Sequence, residues 1–208
     1  MVEVYFYIPA RQTDMAVECG IKVSDWYTRE VLFDGAKKKC IAALLNPRDD
    51  FDKYMSPAYR CLKLEVKPKY CFVADSLLYE VGLAYPEVME MYQRSMMPVE
   101  QYTFGGYRLP ECLVTSTVLG ENVHLLGKGL ESPVLYDNCQ ELYFNNILEG
   151  FRETHDDFND TLLYHFFRRL CDEGKAVRVE DTISGLAVFT YNEDGRVYTL
   201  RIPDMGAY

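Results

Sequence analysis

Short apolar runs, each stopped by a chain breaker, constrain this 208-residue chain more than any other feature. Val2-Glu-Val-Tyr-Phe-Tyr-Ile8 ends at Pro9, and Cys40-Ile-Ala-Ala-Leu-Leu45 ends at Asn46-Pro47. Cys61-Leu-Lys-Leu-Glu-Val66 alternates, Cys71-Phe-Val-Ala74 runs into Asp75, and Cys112-Leu-Val-Thr-Ser-Thr-Val118 is β-branched. Runs of four to eight residues with such boundaries are strands, not helices. A further strand is expected at 123–127, and a hairpin closes the chain: Leu186–Tyr191, a turn at Asn192–Gly195, and Arg196–Ile202.

Helices fill some of the gaps. Residues 13–19 read as a short helix with Thr13 as N-cap and Gly20 at its end. From Ser76 to Arg94 the residues Leu77, Leu78, Val81, Tyr85, Val88 and Tyr92 recur at helical spacing. Pro86 interrupts them, which predicts a kink or two helices. Two more helices are expected at 137–150 and 160–173. The second has an apolar stripe at Leu162, Leu163, Phe166, Phe167 and Leu170, closed by Gly174. Residues 24–39 read as irregular and polar, and 95–110 as a projecting loop. The fold class is therefore α+β. A function would be built in the irregular stretches.

Composition narrows the chemistry. A net charge of −10 sets the chain as a whole against phosphate backbones and anionic membranes. Lys37-Lys38-Lys39, Arg48, Arg60, Lys67 and Lys69 read as solvated faces. Seven cysteines at irregular spacing, without Cys-x-x-Cys, read as reduced buried thiols. They single out no nucleophile. Three histidines form no zinc-ligand spacing, and His155-Asp156-Asp157 reads as a helix cap. Gly127-Lys128-Gly129 lacks P-loop spacing. The opening residues lack the basic region of a secretory leader, and no apolar run approaches a membrane span; a cytoplasmic location is expected. The 17 tyrosines and 11 phenylalanines suit stacking on planar ligands, and equally suit a packed core.

Glu111 stands where the loop Tyr102–Pro110 runs into the apolar run at Cys112. A carboxylate there can be gripped by a strand and still face a cleft, as a catalytic acid, base or cation stabiliser requires. A solvated surface glutamate satisfies the same pattern.

The order of pieces resembles the DarT-type ADP-ribosyltransferases, over roughly residues 4–150. Val4-Tyr-Phe-Tyr-Ile-Pro9 and the helix to Cys19-Gly20-Ile21-Lys22 resemble the family's opening strand, helix and glycine turn. Cys40–Arg48 resembles its apolar strand with a Pro-Arg exit, and Tyr70–Tyr79 its strand-Asp-helix segment. Arg108-Leu-Pro-Glu-Cys-Leu-Val114, on through Glu121–Leu126, resembles the strand that bears the family's glutamate.

The resemblance implies an ADP-ribosyltransferase-like domain over 1–150, a split mixed or antiparallel sheet core with flanking helices. Residues 151–208 would then be a C-terminal helix and β-hairpin extension, a docking module or lid. It implies NAD as substrate, release of nicotinamide, and transfer of ADP-ribose to a nucleic-acid or protein acceptor. Glu111 would be the catalytic carboxylate and Arg29 its companion, with Arg48 as second choice near the cofactor phosphates. Tyr92 or Tyr102 would stack on nicotinamide. The family's first strand carries His-x-Thr; here Tyr7-Ile8-Pro9 stands in its place. Tyr7 supplies one hydroxyl and Pro9 no polar side chain. That departure supports an alternative, a binding or interaction protein on the same fold that does not turn over NAD. A third reading, an RNA 2′-phosphotransferase, needs a basic cluster around a phosphate, and none stands out.

Overall fold

The computed structural model describes residues 1–33, 35–103, 105–127 and 160–204. It is mixed α+β, with antiparallel sheets and several helices. The chain divides into two compact units: Met1–Ser76 with Glu90–Ser132, and Leu77–Met89 with Pro133–Tyr208. No described helix is long and apolar enough to cross a membrane.

The first unit holds one sheet. Its strands are β1 (Val2–Pro9), β2 (Arg29–Phe33), β3 (Ala36–Leu44), β4 (Tyr59–Val66), β5 (Cys71–Asp75), β6 (Met97–Pro98), β7 (Pro110–Val114) and β8 (Val123–Leu125). Their order is β6-β5-β7-β3-β1-β4-β8, with β2 paired to β3, and every pairing is antiparallel. Period-two alternation divides the faces. Val4, Phe6, Ile8, Ile41, Ala43, Leu62, Leu64, Cys71, Cys112 and Val114 fill a core on one side. Helix α1 (Thr13–Cys19) packs there through Ala16, and α2 (Val23–Trp26) through Val23 and Trp26. Each fully buried Val, Leu or Ile of this layer contributes about 1.5–3 kcal/mol.

Gly20 ends α1 with φ 79°, and its N–H donates to Ala16 O at 2.9 Å. A Cβ at Gly20 would collide with the Val118 carbonyl, and one at Gly120 would lie 2.8 Å from the Val17 and Glu18 carbonyls. Two backbones thus cross at van der Waals distance, which is why both positions are glycine. Gln12, not Thr13, is the N-cap; the Thr13 hydroxyl donates to Ala10 O instead.

Two segments in which no strand was expected contain one. Residues 24–39 contain the end of α2 and the β2–β3 hairpin. Their polarity misleads because a two-stranded ribbon satisfies its backbone internally and buries only one row, here Val31. The lysines lie over aromatic faces: Lys39 Nζ is 3.9 Å from the Tyr27 ring centroid and Lys38 Nζ 5.5 Å from that of Phe33. Within 95–110, β6 pairs with the outer edge of β5, so the first part of that stretch is a sheet edge.

Pro86 splits the long helical pattern into α4 (Ser76–Gly82) and α5 (Pro86–Ser95). A Cβ on Gly82 would lie 2.9 Å from the Met89 backbone, so glycine allows the two helices to approach.

In the second unit, β9 (Ala176–Asp181), β10 (Leu186–Tyr191) and β11 (Val197–Arg201) form a three-stranded sheet in the order β11-β10-β9. The hairpin β10–β11 was expected and β9 was not; its sequence, Ala-Val-Arg-Val-Glu-Asp, is too polar to mark a strand. Helix α6 (residues 160–172) ends at Gly174, φ 73°. It buries Tyr164 and Phe167 against Ala187, Phe189 and Leu200. The expected stripe is therefore rotated: Leu162, Leu163 and Phe166 are exposed. A sheet of three strands covers less than the full apolar arc, and the Tyr164 hydroxyl fixes which edge by donating to Glu180 Oε1 at 2.5 Å. The helix expected at 137–150, His155-Asp156-Asp157 and most of Gly127–Gly129 lie outside the described residues.

Candidate active site

The face of the large sheet opposite its core carries the site. On β7 the residues Cys112 and Val114 point into the core, so Glu111 projects from the other face. It pairs with Leu44 on one side and Ala74 on the other, which fixes its backbone in mid-sheet. The side chain is buried, and three protein donors compensate it. Tyr92 Oη donates to Oε1 at 2.5 Å; Arg29 Nε donates to Oε1 at 3.4 Å and Nη2 to Oε2 at 3.1 Å. A carboxylate removed from water is tolerable only with such partners.

Each partner is itself held. Tyr92 lies in the last turns of α5 and is fully buried. The Ser95 hydroxyl donates to Tyr92 O at 2.7 Å and accepts from the Asp75 N–H at 3.2 Å, tying that turn to the end of β5. Arg29 opens β2. Just before it, the Thr28 N–H donates to Cys40 O at 2.9 Å, and Thr28 Oγ1 accepts from the Ala42 N–H at 2.8 Å. Arg29 pairs with Cys40 on β3, the strand whose Leu44 pairs with Glu111.

Arg29, Tyr92 and Glu111 are thus brought together, although 82 residues separate Arg29 from Glu111. Tyr92 enters as a hydrogen-bond donor whose ring has no exposed face, not as a stacking platform. Tyr7, Arg48 and Tyr102 stand in other groups. Tyr7 Oη donates to Pro47 O at 2.7 Å; burial and the neighbouring Cys61 push its phenol well above the usual range, so it stays a donor. Arg48 lies in the turn Pro47–Asp49, with its guanidinium 6.0 Å from the Tyr54 ring centroid. Tyr102 stacks on Tyr107 with centroids 5.4 Å apart, and its hydroxyl accepts the Tyr107 N–H at 3.3 Å.

Two neighbours of the site were not singled out in the sequence. Thr28 positions Arg29, and nothing in its local sequence marks it. Tyr5 shares the open face of β1 with Tyr7, a relation already present in the alternation of Val4, Phe6 and Ile8. Burial pushes the Cys40 and Cys61 thiols up to about 11. All six described cysteines are free.

The arrangement offers a rigid carboxylate, electrostatically balanced by one guanidinium and oriented by one phenol. Comparison with protein-family models, curated proteins and solved structures returned no match to this chain.

Proposed function

We propose that this chain is an NAD-dependent ADP-ribosyltransferase-like enzyme of the DarT type, on the corresponding split-sheet fold. Its acceptor is a nucleic acid or a protein. One observation supports this above the others: Glu111 is buried at mid-sheet and held by Arg29 and Tyr92. A solvated surface glutamate would have none of this machinery.

The chemistry such a carboxylate serves is cleavage of an N-glycosidic bond. The nicotinamide nitrogen leaves with the electron pair of its bond to the ribose C1′. Positive charge grows on C1′ and the ring oxygen, and an acceptor nucleophile then bonds to C1′ and loses its proton. A fixed carboxylate beside the ribose stabilises that charge and accepts a hydrogen bond from a ribose hydroxyl. Tyr92 keeps the carboxylate from rotating. Arg29, more exposed than Glu111, is the member of the pair that the substrate's diphosphate meets first.

A second reading has its own observation. The Tyr7 hydroxyl is already engaged by Pro47 O, and Pro9 brings no polar side chain, so the first strand supplies little to hold a dinucleotide. On that reading the chain binds a partner without turning over NAD. Calorimetric and thermal-shift titration with NAD separates the two, and a null result at millimolar NAD ends the enzyme reading. If NAD binds, Glu111→Gln is expected to abolish nicotinamide release while leaving binding nearly intact. Release at the wild-type rate would remove Glu111 from the mechanism.

A further inference from the structure

The resting geometry closes Glu111 off. Its side chain is 4% exposed, and each of its oxygens already has a protein donor. Oε1 accepts from Tyr92 Oη at 2.5 Å and from Arg29 Nε at 3.4 Å, and Oε2 accepts from Arg29 Nη2 at 3.1 Å. A carboxylate paired with a guanidinium is close to neutral as a unit. It stabilises a growing positive charge far less than an unpaired one does.

The two donors differ in what their removal requires. Tyr92 is fully buried on α5, and its turn is tied to the end of β5 through Ser95. Withdrawing it would unpack the helix. The Arg29 side chain is 18% exposed. It opens β2, which pairs with β3 alone among the described strands. The Thr28 contacts to Cys40 O and the Ala42 N–H hold the backbone beside it, and neither involves the guanidinium. The fork is also long: strong guanidinium–carboxylate pairs close at about 2.7–2.9 Å, against 3.4 and 3.1 Å here. The same ribbon offers a second cation. Arg29 pairs with Cys40 and Val31 with Lys38, so Arg29 and Lys38 project from one face of it. An anion held between them competes with Glu111 for the guanidinium.

We propose that the Arg29–Glu111 pair is an autoinhibitory latch. At rest the guanidinium seals and neutralises the carboxylate. A diphosphate draws Arg29 toward Lys38 and frees Glu111, with Tyr92 still orienting it. This rests on the NAD reading above, under which the anion is the substrate's own diphosphate. A nucleoside without phosphates leaves the carboxylate closed.

The test is calorimetric titration of inorganic pyrophosphate into the full chain and its variants. A latch lowers the apparent affinity by the fraction of molecules that are open, so releasing Arg29 tightens binding. Glu111→Gln is expected to bind pyrophosphate about tenfold more tightly than wild type, as it would with roughly one molecule in ten open at rest. For NAD that gain is offset by the ribose contact the variant loses. Glu30→Gln removes an exposed carboxylate from the same ribbon, where it meets Lys37, without touching the pair. It is expected to stay within about twofold of wild type, which separates release of Arg29 from loss of negative charge. A second readout uses wild type alone: the Arg29 Nε–H resonance, assigned by its loss in Arg29→Lys, is expected to move as pyrophosphate is added. An unmoved resonance, or Glu111→Gln binding pyrophosphate no more tightly than Glu30→Gln, overturns the latch. Wild-type protein that then still releases nicotinamide from NAD leaves the enzyme reading standing. Pyrophosphate that releases Arg29 in protein unable to bind NAD supports the latch and ends the enzyme reading.

Discussion

Two clusters of carboxylate and cation lie on the same face of the same sheet, two strands apart. In one, Lys63 bridges Glu3 and Glu65 at 3.1 Å each, and His124 Nε2 stands 3.6 Å from Glu65. In the other, Arg29 meets Glu111 at the same 3.1 Å. Distance does not distinguish them; environment does. Side-chain exposure is 27% for Lys63 and 54% for Glu3, against 18% for Arg29 and 4% for Glu111. The same charge separation counts for roughly four times more at an effective dielectric near 20 than in water. The exposed cluster is an ordinary surface network that salt screens. The shielded one holds a carboxylate out of water by the donors paired to it.

That contrast makes a graded set of predictions for stability, read by chemical denaturation. Arg29→Ala removes the cation from a buried anion and is expected to cost about 3 kcal/mol. Tyr92→Phe keeps the ring and deletes one donor to Glu111; a loss of about 1–2 kcal/mol is expected. Thr28→Ala loses the acceptor for the Ala42 N–H and loosens the start of β2, for about 1 kcal/mol. Its effect on NAD binding should exceed its effect on folding, because Arg29 moves with it. Lys63→Ala, at the exposed cluster, is expected to leave the unfolding midpoint almost unchanged. A Lys63→Ala loss comparable to that of Arg29→Ala would break the comparison.

The exposed cluster also predicts a pH dependence. Hydrogen bonds to Glu3 and Glu65 raise the Lys63 ammonium above its ordinary 10.5, and Lys63 lowers the Glu65 carboxyl below its ordinary 4.5. The Lys63 contribution is complete below pH 10.5 and is lost as pH rises through the raised value. The Glu65 contribution is complete above pH 4.5 and is lost as pH falls through the lowered one. Stability of wild type minus Lys63→Ala should therefore be flat between those limits, and should shrink toward zero outside them and with added salt.

Part of the site was legible before the structure. Glu111 stood out because a loop rich in glycine and aromatics runs into an apolar strand at that residue. Arg29 came from the order of the pieces, not from its neighbours, and its pairing with Glu111 could not be read across 82 residues. Tyr92 was legible as a member of a helical stripe, and that placement is why it is buried. Its role as the Glu111 donor depends on where α5 meets β7, which no local pattern encodes. Tyr5 was hidden differently: alternation showed its face, and only pairing showed its neighbours.

The chain's own residues determined the strands ended by Pro9 and Asn46-Pro47, the glycine closures at Gly20 and Gly174, and the split at Pro86. Each follows from backbone sterics or a short-range period, and such forces act within a few residues. Tertiary structure decided the order β6-β5-β7-β3-β1-β4-β8, and with it the row from Lys63 through Tyr5 and Leu44 to Glu111. It also decided which edge of α6 is buried, and that a polar stretch would pair as β2 and β3. Register and facing depend on how distant apolar rows fit together, and a shift of one residue would turn Glu111 into the core.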